Sequence, residues 1–196
     1  NSVTDSTTIT ILPYLPVPYQ LGDSGYTGDF ETSPEHFASY TVQGTGIQRG
    51  SSTKPGKDGT FSGTSAWVLG INDNLYQNNT RAEFYTPMYD LSEPGLYELK
   101  FWSKFAIQNP HDGFQVEYST NGGASWIQLG TRDNPNWYNY YNANLADGAF
   151  PMGKSYFTNA QLTWTQYIKD ISFLTGSTTV SFRYIFRSDD EEQAQG

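Results

Sequence analysis

LKFWSKFAIQNPHDGFQVEYSTNGGASWIQL, residues 99–129, reads as two long strands meeting at a glycine-bearing turn, followed by a shorter hairpin. Leu99, Phe101, Ser103 and Phe105 share one face of the first strand, and Lys100, Trp102 and Lys104 share the other, because successive side chains alternate across a strand. Asn109 to Gly113 is a cluster of turn residues. Phe114, Val116 and Tyr118 then alternate with Gln115, Glu117 and Ser119. Asn121-Gly122-Gly123 reaches positive φ at low cost and suits a tight hairpin into Trp126, Ile127 and Leu129. Two amphipathic antiparallel strands need a second sheet over their apolar face, so the expected fold is an all-β, antiparallel two-sheet β-sandwich.

Outward from this stretch the same pattern recurs. Leu162, Trp164, Gln166 and Ile168 alternate with Thr163, Thr165, Tyr167 and Lys169, and Val180, Phe182, Tyr184 and Phe186 with Ser181, Arg183 and Ile185. Ala66 to Leu69 is a buried strand by composition, and Arg81 to Tyr89 is the next strand. Asp29-Phe30-Glu31 alternates with Phe30 inward and both acids outward. Residues 44–65 and 132–154 are long loops, and this spacing suggests a jelly roll. Residues 1–19 are expected to be a linker or edge segment, since Pro13, Pro16 and Pro18 bar a central strand. The domain proper takes residues 20–196.

Composition narrows the function classes. The 196 residues carry 15 Tyr, 12 Phe and 5 Trp, and a chain of that length can bury a core of its own. The net charge of −9 argues against binding nucleic-acid phosphates or anionic membrane surfaces. Zero cysteines exclude disulfides, zinc thiolates and thiol nucleophiles. No run approaches 18 apolar residues, and no charged segment precedes an apolar one as in a signal peptide; a mature secreted domain and a cytosolic one both read this way.

Calcium is one candidate ligand, because it takes six to eight hard oxygens in flexible geometry. Asp29 and Glu31 at i, i+2 present two carboxylates from one strand face, Asp58 lies in a glycine-bearing loop, and Asp112 sits in the turn before a long strand. The plain alternative is that these are surface acids. Carbohydrate is a second candidate: Trp137, Tyr138, Tyr140 and Tyr141 offer stacking rings, and Asn136 and Arg132 offer hydrogen bonds to hydroxyls. The competing reading is that such aromatics plug their loop onto the sandwich. Catalysis finds little support, since His36 and His111 lie far apart and no Gly-x-Ser-x-Gly or His-Glu-x-x-His occurs. A converging pair of glycosidase carboxylates stays open as a further alternative. Asn78-Asn79-Thr80 is a formal glycosylation sequon, and the four acids Asp189 to Glu192 read as a solvated loop.

The ordered set Asp29-Phe30-Glu31, Ser62-Gly63-Thr64-Ser65-Ala66-Trp67, Thr86-Pro87-Met88-Tyr89-Asp90-Leu91, Phe101-Trp102, residues 112–126, Asn136-Trp137-Tyr138-Asn139 and Phe186-Arg187-Ser188-Asp189 resembles the MAM-like jelly-roll domains of secreted bacterial peptidases and surface adhesins. These are similar to cleaved-adhesin modules and reelin subrepeats. The resemblance implies a non-catalytic extracellular binding or adhesion module, stabilised by calcium and ancillary to a larger secreted or cell-surface protein. It implies neighbouring domains of the same polypeptide as partners, with a glycan or cell-surface protein as further possibilities, and neither nucleic acid nor membrane insertion. The family's pattern continues past Ser188-Asp189 into a further Ile-Asp-Asp strand that this sequence does not contain, so the last strand of the domain is expected to be missing.

Overall fold

The computed structural model describes residues 18–21, 25–32 and 34–196. The expected linker or edge segment lies, up to residue 17, outside the described residues. Among those described, thirteen strands follow one another: β1 (Tyr19–Gln20), β2 (Ala38–Gln43), β3 (Ile47–Gly50), β4 (Ala66–Leu69), β5 (Arg81–Tyr85), β6 (Tyr89–Leu91), β7 (Glu98–Ala106), β8 (Gly113–Ser119), β9 (Ile127–Gln128), β10 (Tyr140–Tyr141), β11 (Ser155–Tyr156), β12 (Ala160–Asp170) and β13 (Ser177–Arg187). Two single 3-10 turns, Pro34–His36 and Ser172–Leu174, complete the regular structure. No helix among the described residues is long and apolar enough to cross a membrane, which says nothing of strands.

The strands form a β-sandwich of jelly-roll type. β13 is the axis of the first layer. One edge pairs with β8, from Ser181 opposite Ser119 to Arg187 opposite Gly113, and β9 follows β8. The other edge meets β6 with its first half and β5 with its second. β5 and β6 are one course interrupted at Thr86–Met88, where Pro87 has no N–H to give the ladder. Thr86 bridges the break: its N–H donates to the Phe182 carbonyl at 3.0 Å and its Oγ1 accepts from the Phe182 N–H at 3.0 Å. β2 pairs with β5 and β1 lies parallel to β6. The second layer holds two ladders, β7 with β12 and β3 with β4.

Alternation decides which side chains meet between the layers. Phe101 and Phe105 of β7 point inward, as the sequence predicts, and Phe101 meets Tyr184 of β13 edge-on at 5.0 Å. Phe105 meets Phe114 of β8 at 5.2 Å, and Trp67 of β4 meets Phe84 of β5 at 5.0 Å. At roughly 25 cal/mol per Å² of apolar surface removed from water, rings of this size dominate the cohesion of the core.

The outer face of the first layer is covered as well. The segment 132–156 folds over it, so Phe150, Tyr156 and Ile185 form a second small cluster there. That is why Gln115 is buried although alternation places it on the outer side of β8; Glu117 and Ser119, on the same side, are buried beside Arg183 and the 119–126 hairpin. Each has a partner: Gln115 Nε2 donates to the Ser155 carbonyl at 2.7 Å, and Glu117 Oε2 pairs with Arg183 Nη2 at 2.6 Å.

Several expectations are corrected. The two long strands of residues 99–129 do not pair with each other: β7 belongs to one layer and β8 to the other, and residues 107–112 cross between them. Asp29-Phe30-Glu31 is not a strand, because Phe30 takes a positive φ of 62° and the chain turns there. The loop 44–65 contains β3, whose polar composition hides it. Asp189 is buried rather than solvated.

Candidate functional site

The four carboxylates expected to bind calcium each meet a different set of partners. Asp29 Oδ1 accepts the N–H groups of Glu31 and Thr32, each at 2.9 Å, and its Oδ2 accepts the Thr32 hydroxyl at 2.7 Å. Those donors, the Thr32 N–H first, hold its pKa at about 2. Glu31 reaches a different loop, where Oε1 accepts the N–H groups of Thr64 (2.8 Å) and Ser65 (2.7 Å). Arg49 Nη2 lies 3.5 Å from its other oxygen. The Thr64 N–H leads in holding the Glu31 carboxyl below its ordinary value. Asp58 pairs with Lys104 Nζ at 3.0 Å, and this bond keeps its pKa low.

Asp112 is the fourth, and it is fully buried. Tyr76 OH donates to its Oδ2 at 2.6 Å and the Asp189 N–H donates to its Oδ1 at 2.8 Å. Burial pushes this carboxyl up to about 6 in spite of both donors. His111 Nδ1 stands 3.1 Å from Asp189 Oδ2, so a polar cluster locks the segment after β13 against the turn before β8. Among the described residues no three of His, Asp or Glu converge as a metal-ligand group. The oxygens of Asp29 and Glu31 are taken up by backbone and hydroxyl donors. As placed, the four residues do not fit a shared calcium ion.

The residues expected to stack on sugar divide sharply. Trp137 and Tyr138 are 4% and 2% exposed, and so present no ring face to a ligand. The Trp137 indole N–H donates to the Leu129 carbonyl at 2.8 Å. The Tyr138 hydroxyl donates to the Val116 carbonyl (2.8 Å) and accepts the Val116 N–H (2.9 Å). Their rings pack on Phe101 and Phe157. The reason is geometric: a loop that follows β9 and crosses the end of the sandwich closes the core with its largest side chains. Tyr140 is half-buried on Tyr156, while Tyr141, Asn136 and Arg132 are at the surface.

A different aromatic group is exposed. Trp102 and Trp164 stand on the outer face of the β7–β12 ladder, where Gln166 lies directly opposite Trp102. Phe61, from the loop before β4, lies flat on Trp102 with centroids 3.8 Å apart and planes 11° from parallel, and Trp164 meets Phe61 edge-on at 6.4 Å. Lys104 Nζ sits 5.6 Å from the Trp164 ring centroid. Phe61 is 48% exposed and Trp102 40%. Leu162 and Ile168 extend the apolar area along β12. The alternation of Lys100, Trp102 and Lys104 carried the signal, since a tryptophan sat on the charged face; Phe61 gave none, because its loop fixes it.

No protein-family model matches the chain, and no curated protein matches it. Among solved structures it is similar to the K1 cleaved adhesin domain of Lys-gingipain from Porphyromonas gingivalis W83, with 16% identity and a TM-score of 0.41, over 77% of this chain and 86% of that one.

Proposed function

We propose that the chain is a non-catalytic binding or adhesion module of a larger extracellular protein, and that it engages its partner through the outer face of the β7–β12 ladder. One observation carries this reading. The Phe61–Trp102 stack, with Trp164 beside it, is an aromatic surface held by two long paired strands and left open to solvent. Contiguous exposed apolar area on a rigid sheet has a partner as its ordinary explanation. The polar cluster around Asp112 is taken up in fastening the chain, with each carboxylate oxygen accepting a donor.

Carbohydrate as the partner is the second reading. Flat ring faces flanked by Lys104, Gln166 and Asp58 offer stacking together with hydrogen-bonding groups. Screening immobilised polysaccharides and cell-surface proteins against the chain and its Trp102→Ala variant tests both. Binding lost in the variant while its Tm is kept supports the face, and equal binding by both proteins overturns it. A sandwich-fold hydrolase or lyase is least favoured, and release of reducing ends from a polysaccharide is what would establish it.

Calcium enters as a question with a measurable answer. An ion at a hundredfold excess over its Kd stabilises the native state by about 2.7 kcal/mol, hence a Tm rise of roughly 5–11 °C for a domain of this size. With the Asp29 and Glu31 oxygens already accepting donors, calcium and EDTA are expected to give the same Tm. A rise in that range would place an ion where these carboxylates form no shared site.

A further inference from the structure

The charged residues of β2, β5, β8 and β13 all project from the outer face of the first layer: Arg81, Glu83, Glu117, Arg183 and Arg187. Three arginines against two glutamates make this stretch of sheet net positive in a chain whose net charge is −9. They fall in rows across the strands. Arg183 stands opposite Tyr85 and Glu117, Ile185 opposite Glu83 and Gln115, and Arg187 opposite Arg81 and Gly113.

The carboxylates are shared unevenly among the arginines. Arg183 takes both: its Nη2 lies 2.6 Å from Glu117 Oε2 and its Nη1 3.5 Å from Glu83 Oε2. Arg187 instead faces Arg81. Residues directly opposed on antiparallel strands have Cβ atoms about 4.5–5.5 Å apart, and like charges so placed destabilise the sheet. Among the described residues neither of these two guanidiniums makes an ion pair or a hydrogen bond. Asp189, two residues beyond Arg187, is engaged elsewhere: its Oδ2 stands 3.1 Å from His111 Nδ1 and its Oδ1 accepts the Glu191 N–H at 2.9 Å.

The pair is held in place from both sides. Phe150, from the segment that covers this face, lies against Arg187, with the guanidinium carbon 5.4 Å from the ring centroid. Burial, and after it the charge of Arg81, holds the Arg187 guanidinium below its ordinary pKa. On the open side Arg81 is exposed, and Gln43 of β2 stands opposite it, so a side-chain amide flanks the two cations. The neighbouring rows match charge with opposite charge, and this row does not. A local rule broken where the surrounding structure keeps it marks a functional position.

The chemistry of the pair selects its ligand. Each guanidinium presents N–H donors in a planar fork that fits the oxygens of a phosphate group. Two fixed positive charges match a phosphate monoester, which carries about −1.5 to −2 at neutral pH, better than they match a singly charged carboxylate. The negative charge of the whole chain disfavours a polyanion, so the ligand presents one phosphate and not a row of them.

We propose that Arg81 and Arg187 form an oxyanion site that takes a single phosphate group, free or as a monoester, between their two guanidinium forks. Gln43 adds a neutral donor at its edge. The site lies on the layer opposite the Phe61–Trp102 stack and does not depend on that face.

The test adds inorganic phosphate, glycerol 3-phosphate or acetate to the whole chain at equal ionic strength. Binding is read from the Nε–H resonances of Arg81 and Arg187 and from Tm. Both phosphates are expected to shift the two resonances and raise the Tm, with acetate bound at least about tenfold more weakly. Arg187→Gln and Arg81→Gln are each expected to weaken phosphate at least about tenfold. Since Arg187 packs on Phe150, the exposed Arg81 supplies the decisive variant. Without phosphate, Arg81→Gln removes a repulsion, so its Tm is expected to equal or exceed that of the parent chain, and added phosphate no longer raises it. Tighter binding of glycerol 3-phosphate than of inorganic phosphate assigns the site to a carried group; equal or weaker binding assigns it to the free ion, and both uphold the proposal. Acetate binding as tightly as phosphate overturns it. So do phosphate binding retained by Arg81→Gln, resonances that neither phosphate moves, and a Tm of Arg81→Gln below the parent's in the absence of phosphate.

Discussion

Two aromatic groups in this protein are alike in composition and opposite in placement. In residues 136–141, rings alternate with asparagines in a loop, yet Trp137 and Tyr138 are core residues whose polar atoms are hydrogen-bonded to backbone. On β7 and β12, Trp102 and Trp164 interrupt rows of charged and polar residues, and their rings lie at the surface under Phe61. Local composition alone does not tell the two groups apart. What separates them is the layer each faces: the loop closes an open end of the sandwich, and the ladder turns its second face to water.

The sharpest way to break this comparison is truncation. Trp137→Ala is expected to cost about 3–5 kcal/mol, the range for emptying a buried aromatic site, whereas Trp102→Ala costs about 1 kcal/mol or less. Denaturant melts of the two variants check it, and similar losses would erase the distinction. Tyr138→Phe keeps the ring and removes the hydroxyl that serves both backbone groups of Val116. It is expected to cost about 1–3 kcal/mol through the unsatisfied N–H, with the exposed Tyr141→Phe near zero.

The smallest effect contrasts two acids. Burial holds the folded Asp112 carboxyl at about 6, above its ordinary value, so the folded state takes up the proton first as pH falls. Relative to Asp112→Asn, the native chain therefore gains stability between about pH 7 and pH 4. Asp29 has the opposite sign. Backbone donors hold it at about 2, so its contribution is present above about pH 4 and is lost as pH falls through about 2. Melts of each variant against pH give the two slopes, and slopes of equal sign would refute the assignment.

Much of the scaffold was legible because alternation is a local property. Leu99, Phe101 and Phe105 against Lys100, Trp102 and Lys104 sort correctly from seven residues of sequence, whereas on β12 a register shift between Gln161 and Thr165 interrupts the alternation. Pairing is not local: alternation alone makes β7 and β8 look like neighbours, whereas residues 107–112 carry the chain across to the other layer. Asp29-Phe30-Glu31 misled for a related reason: three alternating residues fit a strand, but Asp29 also caps the two N–H groups after it, and that turn wins. The site was the least legible part. Whether a tryptophan is core or surface depends on what covers its face: segment 132–156 covers one sheet face, while Phe61 covers only part of the other and leaves Trp102 40% exposed.

Sheet borders are where folded β-proteins are prone to stick to one another, because a row of unmatched amides and carbonyls will accept any strand offered. β9 pairs with Glu117 and Tyr118 of β8, Phe157 exchanges both backbone bonds with Phe114, and between them the Tyr138 phenol closes the Val116 N–H and shares its carbonyl with the Leu129 N–H. That single hydroxyl makes the loop a guard as well as a plug. Shortening the loop would leave the core rings uncovered and, in the same stroke, open the Val116 N–H to a strand from another molecule.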